Sequence, residues 1–215
     1  GDLSYKRLLL AYQNGIFPWF SQEEPILWWS PDPRMVLFPK DIHISKSLKK
    51  KIKKNQYRIT VNQAFEQTII ACATPRNNGQ DGTWLMEEMI EAYIDLHDKG
   101  YAHSVETWKN GVLTGGLYGV SLGKSFFGES MFSFETDTSK LALVALARFL
   151  AHHQFDLIDC QVTTAHLLSM GATEISRNRF LDIIQTSVNK KEPLEIWNPG
   201  LNLCRFLEQE VHETG

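Results

Sequence analysis

The sequence predicts an α+β fold, one mixed sheet with helices on both sides and a small aromatic-rich segment ahead of it. Three observations carry this. From residue 57 onward, alternating and periodic stretches follow in the order strand, helix, helix, hairpin, strand, helix, strand, helix. Asn110-Gly111 separates two strand-like runs, the pattern of a tight antiparallel hairpin. Residues 18–33 hold three Trp and four Pro, too many breakers for a long helix.

In chain order, Ser4 is expected to cap a helix to about residue 14, with Leu8, Leu9 and Tyr12 as its buried stripe and Gly15 as its stop. The aromatic stretch that follows suits a rigid extended segment, packed on a second domain or used to bind an apolar ligand. Residues 35–38 make a short strand. Leu48 and Ile52, four apart, mark a helix with a narrow apolar stripe. Residues 57–61 alternate as a strand, and Asn62 is expected to cap a helix to residue 73. A polar loop over 74–82 leads to a helix opened by Thr83 and ended before Gly100. Strands over 103–108 and 112–120 flank the hairpin turn, the second rich in Gly (Gly115, Gly116, Gly119) and so open to close approach. A strand over 125–131 follows, then a helix capped by Thr138 or Ser139, a strand over 156–162, and a short helix over 164–170. Ser176 caps the last helix, to about 189. The tail reads as irregular.

Composition narrows the classes. The chain of 215 residues is 43% hydrophobic and 22% charged, which is ordinary for a globular protein. No apolar run approaches a membrane span, and no basic-then-apolar leader opens the sequence, so it does not read as a secretory precursor. Three cysteines, Cys72, Cys160 and Cys204, form no CxxC pair, which argues against a disulfide framework or thiolate zinc site and for a reducing cytoplasm. The net charge of −3 is uneven: residues 45–58 carry Lys46, Lys49, Lys50, Lys51, Lys53, Lys54 and Arg58 with no acid, leaving the remainder at −10. Such a block is either a solvated helix face or a contact for nucleic-acid phosphates, without base readout.

The strongest chemical candidates are Glu129, Asp159 and Gln161, polar residues in apolar strand-like stretches joined by a single helix. Buried carboxylates are costly unless paired, so acids in such strands mark function, or else bind backbone N–H groups at a strand end. The seven His show no metal-ligand spacing, no nucleophile elbow is present, and the glycines fit neither a P-loop nor a dinucleotide fingerprint.

These segments together resemble the leucyl/phenylalanyl-tRNA–protein transferase family. The likeness runs along essentially the whole chain and is carried by Ile26-Leu27-Trp28-Trp29-Ser30-Pro31-Asp32-Pro33-Arg34, by Gly128-Glu129-Ser130-Met131-Phe132-Ser133, and by Asp159-Cys160-Gln161-Val162. The resemblance implies a small aromatic-rich N-terminal domain (1–34) and a larger GNAT-like acyltransferase domain (35–215). It implies transfer of Leu or Phe, and less well Met, from aminoacyl-tRNA to proteins beginning with Arg or Lys, which marks them for degradation. It implies a monomer in the cytoplasm, with no cofactor, no metal and no membrane partner, because the aminoacyl ester is already activated.

Carried over by motif, the resemblance makes Glu129 and Gln161 the contacts of the reacting amine, with Asp159 orienting Gln161. It implies an aminoacyl pocket of Leu117, Phe126, Met131, Leu146, Leu150 and Ile158, and a site for the tRNA 3′ adenosine at Trp19, Trp84 and Tyr93. It sets Lys46, Lys49, Lys50, Lys51, Lys53 and Lys54 against acceptor-stem phosphates. Gln161 is expected to orient the amine rather than act as a base, since an amide does not titrate in this range. Two rival readings are a CoA-dependent acyltransferase, for which no pyrophosphate-binding Gly loop is found, and a non-catalytic RNA-binding module.

Overall fold

The computed structural model describes residues 2–20, 24–74, 87–191 and 194–208. Its elements run α1 (Tyr5–Gln13), β1 (Phe17–Pro18), β2 (Trp28–Trp29), β3 (Arg34–Leu37), α2 (Lys46–Lys53), β4 (Arg58–Val61), α3 (Phe65–Ala73) and α4 (Glu87–Asp98). There follow β5 (Ala102–Lys109), β6 (Val112–Leu122), β7 (Ser125–Ser133), α5 (Thr138–His152), β8 (Leu157–Gln161), α6 (Ala165–Ser169), β9 (Thr173–Ile175), α7 (Arg177–Ser187) and α8 (Cys204–Glu208). Seven strands form one sheet in the order β4-β5-β6-β7-β8-β3-β9, while β1 and β2 pair separately. The architecture is α+β, as the sequence predicts.

The β5–β6 hairpin turns at Asn110 and Gly111, both with positive φ, as its two-residue turn requires. β7 and β8 pair in parallel, with Phe126 beside Ile158 and Phe127 beside Asp159, and α5 supplies the crossover. The very apolar α5 is buried along nearly its whole length. It packs with Trp197 and Phe206 into a core on one sheet face. The other face carries a second core of Leu8, Tyr12, Phe65, Tyr93, Phe180 and neighbours from α1, α3, α4 and α7. The alternation of β strands sorts the side chains: Met35 and Leu37 enter the first core and Val36 the second.

Several local expectations are corrected. Asn62 does not cap α3: it takes a left-handed φ of 52° and its side chain holds His103, Ser104 and the Trp197 carbonyl instead. Ser4 is the N-cap residue of α1, as expected, but its hydroxyl donates to Asp2 and makes no hydrogen bond to the helix. Asp137, not Thr138 or Ser139, is the N-cap residue of α5. Thr83 lies outside the described residues, and the described part of α4 starts at Glu87. β9 and α8 were not expected. Both are short, and their order comes from neighbours: β9 pairs with β3, and Arg148 donates to the Phe206 and Leu207 carbonyls at α8.

Candidate active site

Two irregularities sit side by side where β7 meets β8. Ser130 pairs with Tyr118 and Gly128 with Gly119, so Glu129 is an extra residue on β7, bulged out of the ladder. A bulge switches the side-chain alternation. That is why Phe126 and Met131, of opposite parity, both face the same core. Gly119 permits the arrangement, since a Cβ there would meet the Phe127 carbonyl oxygen at 2.2 Å. On β8, Gln161 pairs with Met35 and Asp159 with Val36, which leaves Cys160 as a second extra residue. Gln161 ends the strand with φ of 64°, a left-handed conformation unusual for a side chain of its size.

The bulges bring the two predicted groups together. Gln161 Nε2 donates to Glu129 Oε1 at 2.7 Å. The Tyr12 hydroxyl donates to the same oxygen at 2.8 Å, and the Tyr93 hydroxyl to Oε2 at 2.8 Å. Burial pushes the Glu129 carboxyl from its ordinary value up to about 7, against the lowering effect of the Tyr93, Tyr12 and Gln161 hydrogen bonds and with the help of nearby Asp159. Burial and the Glu129 charge also hold the Tyr12 and Tyr93 phenols well above their usual range. Glu129 is thus poised to change charge near neutral pH, while its two phenols stay protonated.

Asp159 holds Gln161 by a hydrogen bond, as expected, but through the main chain and with Arg34 as its own partner. Its carboxylate is fully buried and accepts a bidentate pair from Arg34, Nε to Oδ1 at 2.8 Å and Nη2 to Oδ2 at 2.6 Å. Oδ1 also accepts the backbone N–H of Gln161 at 2.9 Å. Asp159 therefore fixes the Gln161 main chain rather than its carboxamide, and its charge is paired with Arg34. The Arg34 guanidinium lies between Phe17 and Phe180, 4.8 and 4.5 Å from the ring centroids. Tyr12 and Arg34 are site residues that the sequence reading missed. Tyr12 passed as one apolar position in a helical stripe, and Arg34 closes a Pro-rich run whose pairing partner lies 125 residues away.

Glu129 and Gln161 open onto a cavity of about 730 Å³. Leu117, Phe126, Met131, Leu146 and Ile158 line it, as does Leu143. Leu150 does not: one turn beyond Leu146 on α5, it is fully buried in the core behind the cavity. Trp19 is at the mouth, 42% exposed. Tyr93 is a correction too, for its ring is fully buried edge-on to Tyr118 and has no face free for a base. Trp84 lies outside the described residues. Cys160 also lines the cavity, its thiol held far above the ordinary range by burial.

The basic block forms α2, with Ser45 accepting the Leu48 N–H as its cap and Leu48 and Ile52 buried. Lys46, Lys49, Lys50, Lys53 and Lys54 are exposed, whereas half-buried Lys51 donates to the Thr136 carbonyl and lies over the Tyr57 ring. Among the described residues, no group of three or more His, Cys, Asp or Glu is placed to hold a metal ion. No helix among them is long and apolar enough to cross a membrane.

Comparison with known proteins bears on this geometry. The family model described as leucyl/phenylalanyl-tRNA protein transferase matches residues 36–185, and the model for that family's N-terminal domain matches residues 1–32. A leucyl/phenylalanyl-tRNA–protein transferase of Desulforapulum autotrophicum is 61% identical over 191 residues, 89% of this chain and 83% of its own length. One from Nitrosomonas eutropha is 57% identical over 198 residues, covering 92% of this chain and 84% of its own length. A third, from Syntrophobacter fumaroxidans, is 55% identical over 204 residues, 95% and 87% respectively. Likeness to solved structures is looser: the structure of L-PGS from Bacillus licheniformis aligns at 9% identity with a TM-score of 0.41, over 93% of this chain and 64% of that one. With a family model across most of its length and relatives at this identity, the chain belongs to the leucyl/phenylalanyl-tRNA–protein transferase family and is an aminoacyltransferase.

Proposed function

We propose that this enzyme moves Leu or Phe, and less well Met, from aminoacyl-tRNA to the α-amine of proteins that begin with Arg or Lys, marking them for degradation. On this reading it works as a monomer in the cytoplasm, its larger domain is related to the GNAT acyltransferases, and exposed lysines of α2 touch acceptor-stem phosphates. The observation that carries the reading is the Glu129–Gln161 pair, 2.7 Å apart, at the wall of an apolar cavity. A cavity of about 730 Å³ lies within the range of small-ligand sites and has room for an aminoacyl side chain with its ribose.

The chemistry follows from the donors and acceptors. Gln161 gives one of its two amide N–H groups to Glu129, and its carboxamide oxygen is the acceptor for an N–H of the incoming amine. An α-amine titrates at about 7.7–8.0, so near neutrality most of it arrives as ammonium. Glu129, ionised above about pH 7, takes a proton from it or from the ammonium formed on attack. The ester carbon then exchanges its bond to the ribose 3′ oxygen for one to nitrogen, and the neighbouring ribose 2′ hydroxyl can hand a proton to the leaving oxygen and regain one from protonated Glu129, so that the proton lost by nitrogen ends on the ribose. The main contribution of the protein is orientation: two substrates are held against a fixed Gln161 whose backbone is tied to Asp159.

The test is direct. Labelled Leu-tRNA or Phe-tRNA is incubated with the protein and a peptide beginning with Arg, and acid-stable label on the peptide is counted. Label is expected with Arg and Lys peptides and not with an acetylated one. Absence of label from every donor refutes the assignment.

A further inference from the structure

Trp29 is a large aromatic residue that the reaction described above does not use. On β2 it pairs with Phe17 of β1. Its indole N–H donates to the Trp19 carbonyl at 2.6 Å, and the two indole rings touch with centroids 5.6 Å apart and planes tilted by 51°. Trp19 faces the cavity, while Trp29 is 43% exposed beside it. Rings in contact at this spacing leave no room for a base between them, so Trp29 offers its outer face to solvent. Arg177, at the start of α7, is fastened next to it: Nη1 donates to the carbonyl of Ser30 at 2.8 Å and the backbone N–H to Asp32 at 3.0 Å. Arg177 is exposed. An exposed aromatic face with a fixed guanidinium beside it is the pairing by which proteins hold single-stranded nucleic acid, stacking a base and neutralising a phosphate. The aromatic edge is continuous with the cavity mouth through Trp19, so an occupant entering the cavity by its end crosses Trp29 with the part just before that end.

We propose that Trp29 and Arg177 hold the single-stranded nucleotides of aminoacyl-tRNA that precede its aminoacylated end, Trp29 by stacking a base and Arg177 by pairing with a phosphate. This rests on the aminoacyl-tRNA reading of the cavity. It makes the two residues binding groups for the known class of reaction, acting outside the reacting centre.

Two donors separate this role from mere support of Trp19: phenylalanyl-tRNA, and phenylalanyl-adenosine, which lacks the preceding nucleotides. Trp29→Ala is expected to raise KM for the tRNA donor by about tenfold or more, as the loss of one stacked base predicts. Its kcat/KM for the nucleoside donor should stay within about twofold of the parent, and Trp29→Phe should retain most of the tRNA affinity. Arg177→Gln should flatten the slope of log affinity against log salt by about 0.7, the release of one single-strand counterion. Equal losses with both donors, or no loss with either, overturn the stacking role. An unchanged salt slope overturns the phosphate contact. If the parent protein transfers from neither donor, the reaction assignment fails, yet binding still decides this proposal. A parental preference for intact tRNA over tRNA trimmed of its single-stranded 3′ end, reduced by Trp29→Ala, supports it, and equal binding of the two by the parent, or a preference that Trp29→Ala leaves unchanged, overturns it.

Discussion

Arg34→Met would strip Asp159 of its two guanidinium hydrogen bonds while leaving its carboxylate fully buried, with the Gln161 N–H as its remaining donor among the described residues. Breaking one side of a buried ion pair costs about 3–5 kcal/mol, because the surviving charge is desolvated and uncompensated. Losing the guanidinium from between Phe17 and Phe180 adds about 0.5–1 kcal/mol per ring. The expected total, about 4–7 kcal/mol, is a large share of the ~5–15 kcal/mol that holds a typical domain folded. Asp159→Asn on top of Arg34→Met removes the stranded charge and keeps an acceptor for the Gln161 N–H, so about half of the loss should return. Urea titrations of the parent, the single variants and the double variant measure this, read as midpoint shifts at constant slope. The single Arg34→Met variant should lower the midpoint by more than about 1 M at a slope of about 3 kcal/mol per M. A midpoint within a few tenths of the parent, or a double variant no more stable than the single, would refute the view that this pair anchors Gln161.

Further outcomes are expected at Glu129, the cavity and α2. Because burial raises the Glu129 carboxyl to about 7, ionising it costs the folded state: its contribution to stability is full below about pH 4.5 and is lost as pH rises through about 7. The loss is at most about 3 kcal/mol for the full shift and less for a half-buried group. Glu129→Gln should therefore show a flatter urea midpoint between pH 5 and 8 than the parent. It should also lose the rise in transfer rate near pH 7, keeping only the titration of the substrate amine. Leu146→Phe fills part of the cavity, so competition between Leu-tRNA and Phe-tRNA should shift toward Leu by about tenfold, the discrimination typical of a methylene or two in an apolar pocket. Changing the exposed Lys49, Lys50, Lys53 and Lys54 together to Gln should weaken tRNA binding and reduce its salt slope by about 0.9 for each phosphate no longer neutralised. Binding equal to the parent would make α2 simple surface.

How far the sequence reached is clearest at particular residues. The hairpin was legible because Asn110-Gly111 needs only two adjacent residues with positive φ. α5 was legible because its apolar positions repeat over fifteen residues. Glu129 and Gln161 stood out because polar groups in apolar strands are costly, and the single helix between their strands suggested that the two lie close in one sheet, where they pair in parallel. Asn62 was misread because the same side chain that caps helices also tolerates a left-handed backbone and can serve a distant ladder. Tyr93 was misread because an aromatic on a helix looks the same in sequence whether its ring faces solvent or is buried with its hydroxyl on a half-buried carboxylate.

Local chemistry was therefore written in the order of residues: which stretches twist into helices, where the chain reverses, which carboxylate and carboxamide stand in greasy strands, and to which family they belong. Long-range partnership was not. That Arg34 neutralises Asp159, that Tyr12 and Tyr93 converge on Glu129, and that two neighbouring bulges turn Glu129 and Gln161 toward each other depend on register between strands far apart in the chain. Register is decided by packing of both sheet faces at once, and one residue of slip reverses every side chain, so it is a property of the assembled fold.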